Sequence, residues 1–236
     1  MMGRGVMKNR LLTSAVMVLL LSGVALGCGR SQGGVGGSGE APGGPTLAQG
    51  KEPGKAGDAS AARAPILLVV PKKYYQEEEY GAPRELFVEA GYKVLVASSA
   101  TGNAEGAAGG SCFVDLTLEE ATAAVKDYSA VLFIGGPGSS VFHEDEKAHA
   151  LVRKAAVETP VVGAICLAPY TLAFAGVLKG INATAWTGGR YTPEMFAAQG
   201  PIYKEGPVVV DGKFVTANGP RAAEAFAKAV LEALRK

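Results

Sequence analysis

Cysteine and histidine are scarce in this chain: 236 residues hold three cysteines and two histidines. So few thiols exclude a disulfide-stapled scaffold, and the fold must rest on an apolar core. The sequence assigns no metal ligand and implies no cofactor. Excess charge is also missing, because 23 Lys and Arg stand against 22 Asp and Glu for a net +1. That balance argues against nucleic acid or an acidic macromolecule as partner. Aromatic residues make up only 7%, while alanine and glycine abound, as in a compact α/β domain. The longest apolar run, residues 11–26, is too short for a comfortable membrane span.

That run has another meaning. Arg4, Lys8 and Arg10 precede it, and it ends at Val24-Ala25-Leu26-Gly27-Cys28. A basic segment, an apolar segment and a small residue before cysteine resemble a bacterial lipoprotein signal. Residues 1–28 are therefore expected to be a signal segment with Cys28 as the lipidated residue. The position three before the cysteine is Ala25, where such signals usually carry leucine. Lipid anchoring outside the cytoplasm is the expectation, with a secreted or periplasmic protein as the alternative. Residues 29–63, rich in Gly, Ser, Ala and Pro without apolar periodicity, read as a flexible linker. Residues 64–236 then form the folded domain.

Within that domain, apolar runs at 65–70, 92–97, 128–134 and 161–165 read as buried parallel strands. Helices are expected at 80–90, 115–125, 144–157, 167–175 and 193–199, with Thr117 and Glu120 as a capping box. Residues 98–112 read as loop and 183–186 as a short strand. Residues 207–217 read as a hairpin with Asp211-Gly212 at a type I′ turn. Ala222, Phe226, Ala229, Val230 and Leu234 form the apolar stripe of a last helix.

The stretch that carries chemistry is 159–169. Val161, Val162 and Ile165 lead to Cys166, and a helical pattern begins at once, with Pro169 tolerable in its first turn. Unpaired N–H groups there favour a thiolate. The pattern matches a nucleophile elbow with cysteine in place of serine, although a buried core cysteine fits it too. Cys112 sits in a Gly-rich segment and is expected to stay unpaired with Cys166. The turn at Gly135-Gly136-Pro137-Gly138, just past a central strand, leaves room for a ligand or makes a tight turn.

Ala164-Ile165-Cys166, the segment 173–180, Ala183-Thr184, the glycine turn and residues 215–220 resemble the ThiJ/PfpI family, which includes the parkinsonism-associated deglycase and the PfpI intracellular protease. The resemblance spans residue 65 to the C-terminus. It implies an α/β, flavodoxin-like three-layer sandwich with a mainly parallel central sheet, a reactive elbow cysteine, and dimers or larger homo-oligomers. It also implies a glutamate after the first strand that bonds the cysteine, and often a histidine. Glu77 and Glu79 are the candidate acids here, with a charged helix start as the other reading of both. Family proteases place a histidine directly after the cysteine, where this chain has Leu167, and deglycases place one after the next strand, where it has Trp186. Both histidines precede Cys166, so His143 is the candidate, and His149 reads as a solvated helix residue. The backbone N–H groups of Gly136 and Leu167 are the candidate oxyanion donors.

Two functions fit. In one, Cys166 attacks the carbonyl of a small molecule or peptide, as a hydrolase or lyase of peptidase, amidase, glyoxalase or deglycase type. Aldehyde chemistry is the easier case, since no poor leaving group needs a proton. In the other, a non-catalytic binding or redox-sensing domain uses the same thiol. A glutamine amidotransferase would need a His-x-Glu pair after the nucleophile, and no histidine follows Cys166.

Overall fold

A computed structural model describes residues 63–236; the expected signal segment, Cys28 and nearly all of the linker lie outside the described residues. In chain order the elements are β1 (Ile66–Val69), β2 (Lys73–Tyr75), α1 (Glu77–Glu89), β3 (Val94–Ser98), β4 (Gly102–Gly106), β5 (Ser111–Val114), β6 (Leu116–Thr117), α2 (Leu118–Ala123) and β7 (Ala130–Phe133). There follow α3 (Glu146–Glu158), β8 (Val161–Ile165), α4 (Pro169–Phe174), β9 (Asn182–Ala183), α5 (Pro193–Ala197), β10 (Ile202–Tyr203), β11 (Val208–Asp211), β12 (Phe214–Ala217) and α6 (Ala223–Ala233).

Seven strands form the central sheet in the order β11-β12-β8-β7-β1-β3-β6. Every neighbouring pair is parallel except β11 with β12. Setting aside the hairpin strand β11 and the two-residue edge strand β6, the order is the 2-1-3-4-5 of flavodoxin-like folds. Alternate residues of each strand serve opposite faces. Leu67, Val69, Val131, Phe133 and Val162 pack with Leu118, Leu151, Val152 and Leu172 from α2, α3 and α4. Ile66, Leu68, Leu132, Ile134 and Ile165 pack with Phe87 of α1 and Phe226 and Val230 of α6. Both faces being covered explains why these strands read as unbroken apolar runs. The result is the expected three-layer α/β sandwich.

Several local expectations need correction. The presumed loop at 98–112 contains β4 and the first half of its antiparallel partner β5, and β2 joins β4 to complete a three-stranded sheet. Gly102, Asn103 and Gly106 disfavour strand, so tertiary pairing overrides local propensity there. Helix α1 starts three residues early, at Glu77, capped by Gln76. The capping box of Thr117 and Glu120 is present, but α2 is shorter than expected. Asp115 instead turns its carboxylate to the Val96 N–H at 2.8 Å. The short strand is Asn182–Ala183 and excludes Trp186. The hairpin loop is Gly212-Lys213, because Asp211 pairs with Phe214. A positive φ of 57° at Gly212 alone suits a type II′ turn, not I′.

Gly163 sets how closely α6 approaches the strand that leads to Cys166. A Cβ there would lie 2.8 Å from Leu132 Cδ2, 2.9 Å from the Val215 carbonyl oxygen and 3.1 Å from the Phe226 ring. Phe226 thus fills the space that the missing side chain leaves. Phe226→Ala should lower unfolding stability by about 3–5 kcal/mol, measured by urea denaturation; a loss under ~1 kcal/mol would show that the site collapses around the change.

Candidate active site

Strand β8 ends at Ile165 and the chain reverses at Cys166, whose φ of +65° is a left-handed conformation rare for a residue with a side chain. Such a conformation is strained by ~1–3 kcal/mol and persists only where neighbours impose it. Here the Cys166 N–H donates to the Ala217 carbonyl at 2.8 Å, and the Trp186 N–H donates to the Cys166 carbonyl at 2.8 Å. Strand β12 and the segment after β9 therefore hold the turn from both sides. Helix α4 follows directly, with Pro169 at its first position.

The end of β7 meets this turn. A Cβ on Gly135 would stand 2.6 Å from the Cys166 Cβ, 2.6 Å from Glu79 Oε2 and 2.7 Å from the Ile165 carbonyl oxygen. Only glycine lets these three groups converge. The Gly135 N–H donates to Glu79 Oε2 at 3.1 Å, and the Gln76 N–H donates to the Gly135 carbonyl at 3.1 Å. Gly136 has a φ of +107°, and a Cβ there would run into the backbone of residues 74–76. The site thus lies at the carboxyl ends of β1, β7 and β8, beside the point where the strand order reverses, the usual crevice of such sheets.

The first turn of α1 decides which acid arrives. Residues two apart on a helix point about 200° away from each other, so Glu77 and Glu79 cannot share a target. Glu79 is fully buried against Cys166 and Gly135. Glu77 faces the other way: its Oε1 accepts the N–H of Ala108 at 2.7 Å and of Gly110 at 3.1 Å, pinning the β4–β5 turn. Burial alone would raise its pKa, but the N–H groups of Ala108, Glu77 itself, Gly110 and Ala107 hold it below the ordinary value. Glu77 is therefore a fixed structural carboxylate and drops out as a partner of the thiol.

Burial pushes the Glu79 carboxyl up to about 7, with the negative Glu78 adding to the rise; the contacts with Cys166 and the Gly135 N–H act downward. Cys166 is 8% exposed. Burial first, then the Glu79 carboxylate, pushes its thiol upward, while the N–H groups of Gly136 and Leu167 pull it down. The two acids are coupled, and a buried pair this close resists carrying two negative charges. Protonating Glu79 removes its repulsion and turns it into a donor towards sulfur, which lowers the cost of ionising the thiol. Gly136 and Leu167, the two expected oxyanion donors, both aim N–H groups at the sulfur.

His143 is placed differently from expectation. Its Nε2 lies 3.2 Å from the Leu167 carbonyl, which can only accept, so Nε2 carries the proton. Its ring stacks on Phe174 at 5.7 Å. Burial lowers its pKa despite the bond to Leu167, with Arg190 and His149 also lowering it and Glu144 opposing. His143 lines a neighbouring cavity and not the one over the thiol. It braces the residue after Cys166 through Nε2 and does not line the thiol pocket. His149 is buried, contrary to the expectation of a solvated residue, with Nε2 2.8 Å from the His143 carbonyl oxygen. Cys112 and Cys166 are both free thiols.

The pocket over the sulfur measures about 280 Å³, and Gln76, Pro137, Trp186 and Pro220 complete its walls. Trp186, Gln76 and Pro220 were not foreseen as site residues. For Trp186 there was a usable signal in its being the only tryptophan; in the fold it stays 44% exposed. Among the described residues no cluster of His, Cys, Asp and Glu could hold a metal ion.

Comparison with known proteins places these features in context. The model of the DJ-1/PfpI family matches residues 64–233. The deglycase PfpI of Pyrococcus furiosus is 32% identical over 154 residues, covering 65% of this chain and 90% of its own. A glutathione-independent glyoxalase of Caenorhabditis elegans is 27% identical, covering 74% of this chain and 90% of its own. Among solved structures, a ThiJ/PfpI domain protein from Brachyspira murdochii is 30% identical with a TM-score of 0.68, covering 74% of this chain and 98% of its own.

The buried acid makes stability depend on pH. Folded Glu79 keeps its proton up to about 7, against 4.5 ordinarily. The native state therefore binds the extra proton between those values. Its contribution is complete below about pH 4.5 and is lost as pH rises to about 7, by ~3 kcal/mol at most. Urea unfolding at pH 5 and pH 8 should show the wild type losing stability relative to Glu79→Gln. Parallel behaviour of the two proteins would mean that Glu79 is ionised throughout.

Proposed function

The chain belongs to the DJ-1/PfpI family, and from that premise we propose that it is a thiol-dependent enzyme acting on a small carbonyl compound, of the glyoxalase or deglycase type. One observation carries the reading: a strained, buried thiol and a buried carboxyl pushed up to about 7 meet under two backbone N–H groups. A group that titrates near neutrality both accepts and returns protons, as general acid–base catalysis requires. The names of the relatives, deglycase and glyoxalase, support the same class.

For an α-oxoaldehyde the sequence of steps is simple. The Cys166 sulfur adds to the aldehyde carbon, and the thiol proton ends on the new oxygen. The N–H groups of Gly136 and Leu167 hold that oxygen while it is negative. Glu79, as carboxylate, then takes the hydrogen from the former aldehyde carbon as a proton and returns it to the neighbouring carbon, while the proton on the former aldehyde oxygen passes to the ketone oxygen. The product is a 2-hydroxy thioester, the two carbons having exchanged oxidation levels. Water cleaves the thioester, releasing a 2-hydroxy acid and the free thiol. No step needs an outside oxidant, and none expels a poorly stabilised amine. Peptide cleavage would require a proton donor to such an amine, and His143 has its Nε2 proton committed to Leu167. The coarser hydrolase or lyase assignment thus narrows towards aldehyde chemistry.

The reading extends to placement and assembly. The lipoprotein-like segment ending at Cys28 supports a tethered enzyme outside the cytoplasm, and the family resemblance supports a homodimer or larger assembly. Among the described residues no helix is long and apolar enough to cross a membrane.

Three measurements test the proposal. Methylglyoxal consumption with lactate formation should fall to background in Cys166→Ala and by about 10²–10⁴-fold in Glu79→Gln. Full activity in Cys166→Ala would rule the mechanism out. Selective peroxide oxidation of Cys166 without any turnover would favour the redox-sensing alternative. In a bacterial host, Cys28→Ser should move the protein from the membrane fraction to the soluble fraction; unchanged fractionation would remove the lipid tether.

A further inference from the structure

The thiol pocket does not end at Trp186. On the far side of the indole and Pro220 lies a second cavity of about 500 Å³, and these two residues line both spaces. The indole is kept at this boundary by glycine on either side. A Cβ on Gly188 would lie 3.0 Å from Trp186 Nε1, and one on Gly219 would lie 3.1 Å from its Cε3. The second cavity carries polar side chains from two parts of the chain: Tyr203 and Glu205 enter it from one, Asn218 and Arg221 from the other. Glu205 and Arg221 are both exposed. The ion pairs among the described residues are Lys147–Glu119, His149–Glu146, Arg153–Glu146 and Lys228–Glu224, so Glu205 and Arg221 do not neutralise each other.

We infer that this second cavity binds the zwitterionic head of an α-amino acid, and that it seats the unreactive end of a substrate whose carbonyl reaches Cys166. Opposite charges facing one cavity without pairing restrict the ligand. A simple anion would suit Arg221 and be repelled by Glu205; a simple cation would do the reverse. A ligand carrying both charges satisfies both, its carboxylate on the Arg221 guanidinium and its ammonium on Glu205. The exposed indole face adds a favourable surface for the ammonium. Asn218 supplies both a donor and an acceptor. The volume falls within the range of small-molecule sites and exceeds what the head alone requires, leaving room for a side chain.

The substrate assignment rests on Cys166 acting on a carbonyl, but the binding site can be tested without turnover. Trp186 is the only tryptophan, so fluorescence of the whole protein under tryptophan-selective excitation reports on this boundary alone. L-leucine should change its emission saturably. N-acetyl-L-leucine, which keeps only the negative charge, and L-leucinamide, which keeps only the positive one, should each bind at least tenfold more weakly. Arg221→Ala and Glu205→Gln, both at exposed positions, should each raise the Kd for L-leucine at least tenfold. No saturable change with L-leucine, equal binding of either single-charge analogue, or a Kd unmoved by both substitutions would overturn the inference. L-leucine binding in a protein that never consumes methylglyoxal would leave the subsite standing and remove only the aldehyde chemistry.

Discussion

The contact that the rest of the structure depends on is between Glu79 and Cys166 across the missing side chain of Gly135. Two acidic groups share a space too dry for two negative charges, and one proton decides which of them is ionised. Much of the fold serves to keep this arrangement in place. Parallel strands β7 and β8 bring Gly135 beside Cys166, the first turn of α1 delivers Glu79, and β12 fixes the backbone of the elbow. A sheet covered on both faces supplies the rigidity that a strained residue requires.

The frame of the fold was readable because its signals were local. Unbroken apolar runs mark strands buried on two faces, and the Thr117–Glu120 capping box is a three-residue pattern. The hairpin of β4 and β5 was hidden because Gly102, Asn103 and Gly106 form strand only through partners elsewhere in the chain. The site divides in the same way. Cys166 was visible as a break between strand and helix patterns. The choice between Glu77 and Glu79 depended on where α1 begins, and an error of three residues in that start rotates every side chain by most of a turn. The role of Gly135 could not be read from its identity, since any glycine after a strand suits a turn. Only the convergence of Cys166, Glu79 and Ile165 around it distinguishes it.

The two histidines illustrate how little residue type says about role. Both looked separable by position, one near a loop and one on a charged helix. In the fold they form a short chain: His149 bonds the His143 backbone, and His143 bonds the Leu167 carbonyl. Their order in the sequence ruled out a histidine after the nucleophile, and that remains true. The thiol pocket is walled instead by Trp186, whose indole is no acid–base group near neutral pH.

The hydrogen bond from the Cys166 N–H to the Ala217 carbonyl joins residues 51 positions apart. Ala217 belongs to the last strand, β12, and only a 3-10 turn at Pro220–Ala222 and α6 follow as regular structure. A polypeptide that emerges N-terminus first can therefore form β1, β3, β7 and β8 while its elbow is still unclamped. Until β12 docks, the Trp186 N–H alone holds the elbow, and Cys166 is freer to relax towards an ordinary backbone conformation. The strained elbow is thus a property that the chain acquires only on completion, so a prematurely terminated product would carry Cys166 without the backbone strain that sets it in place.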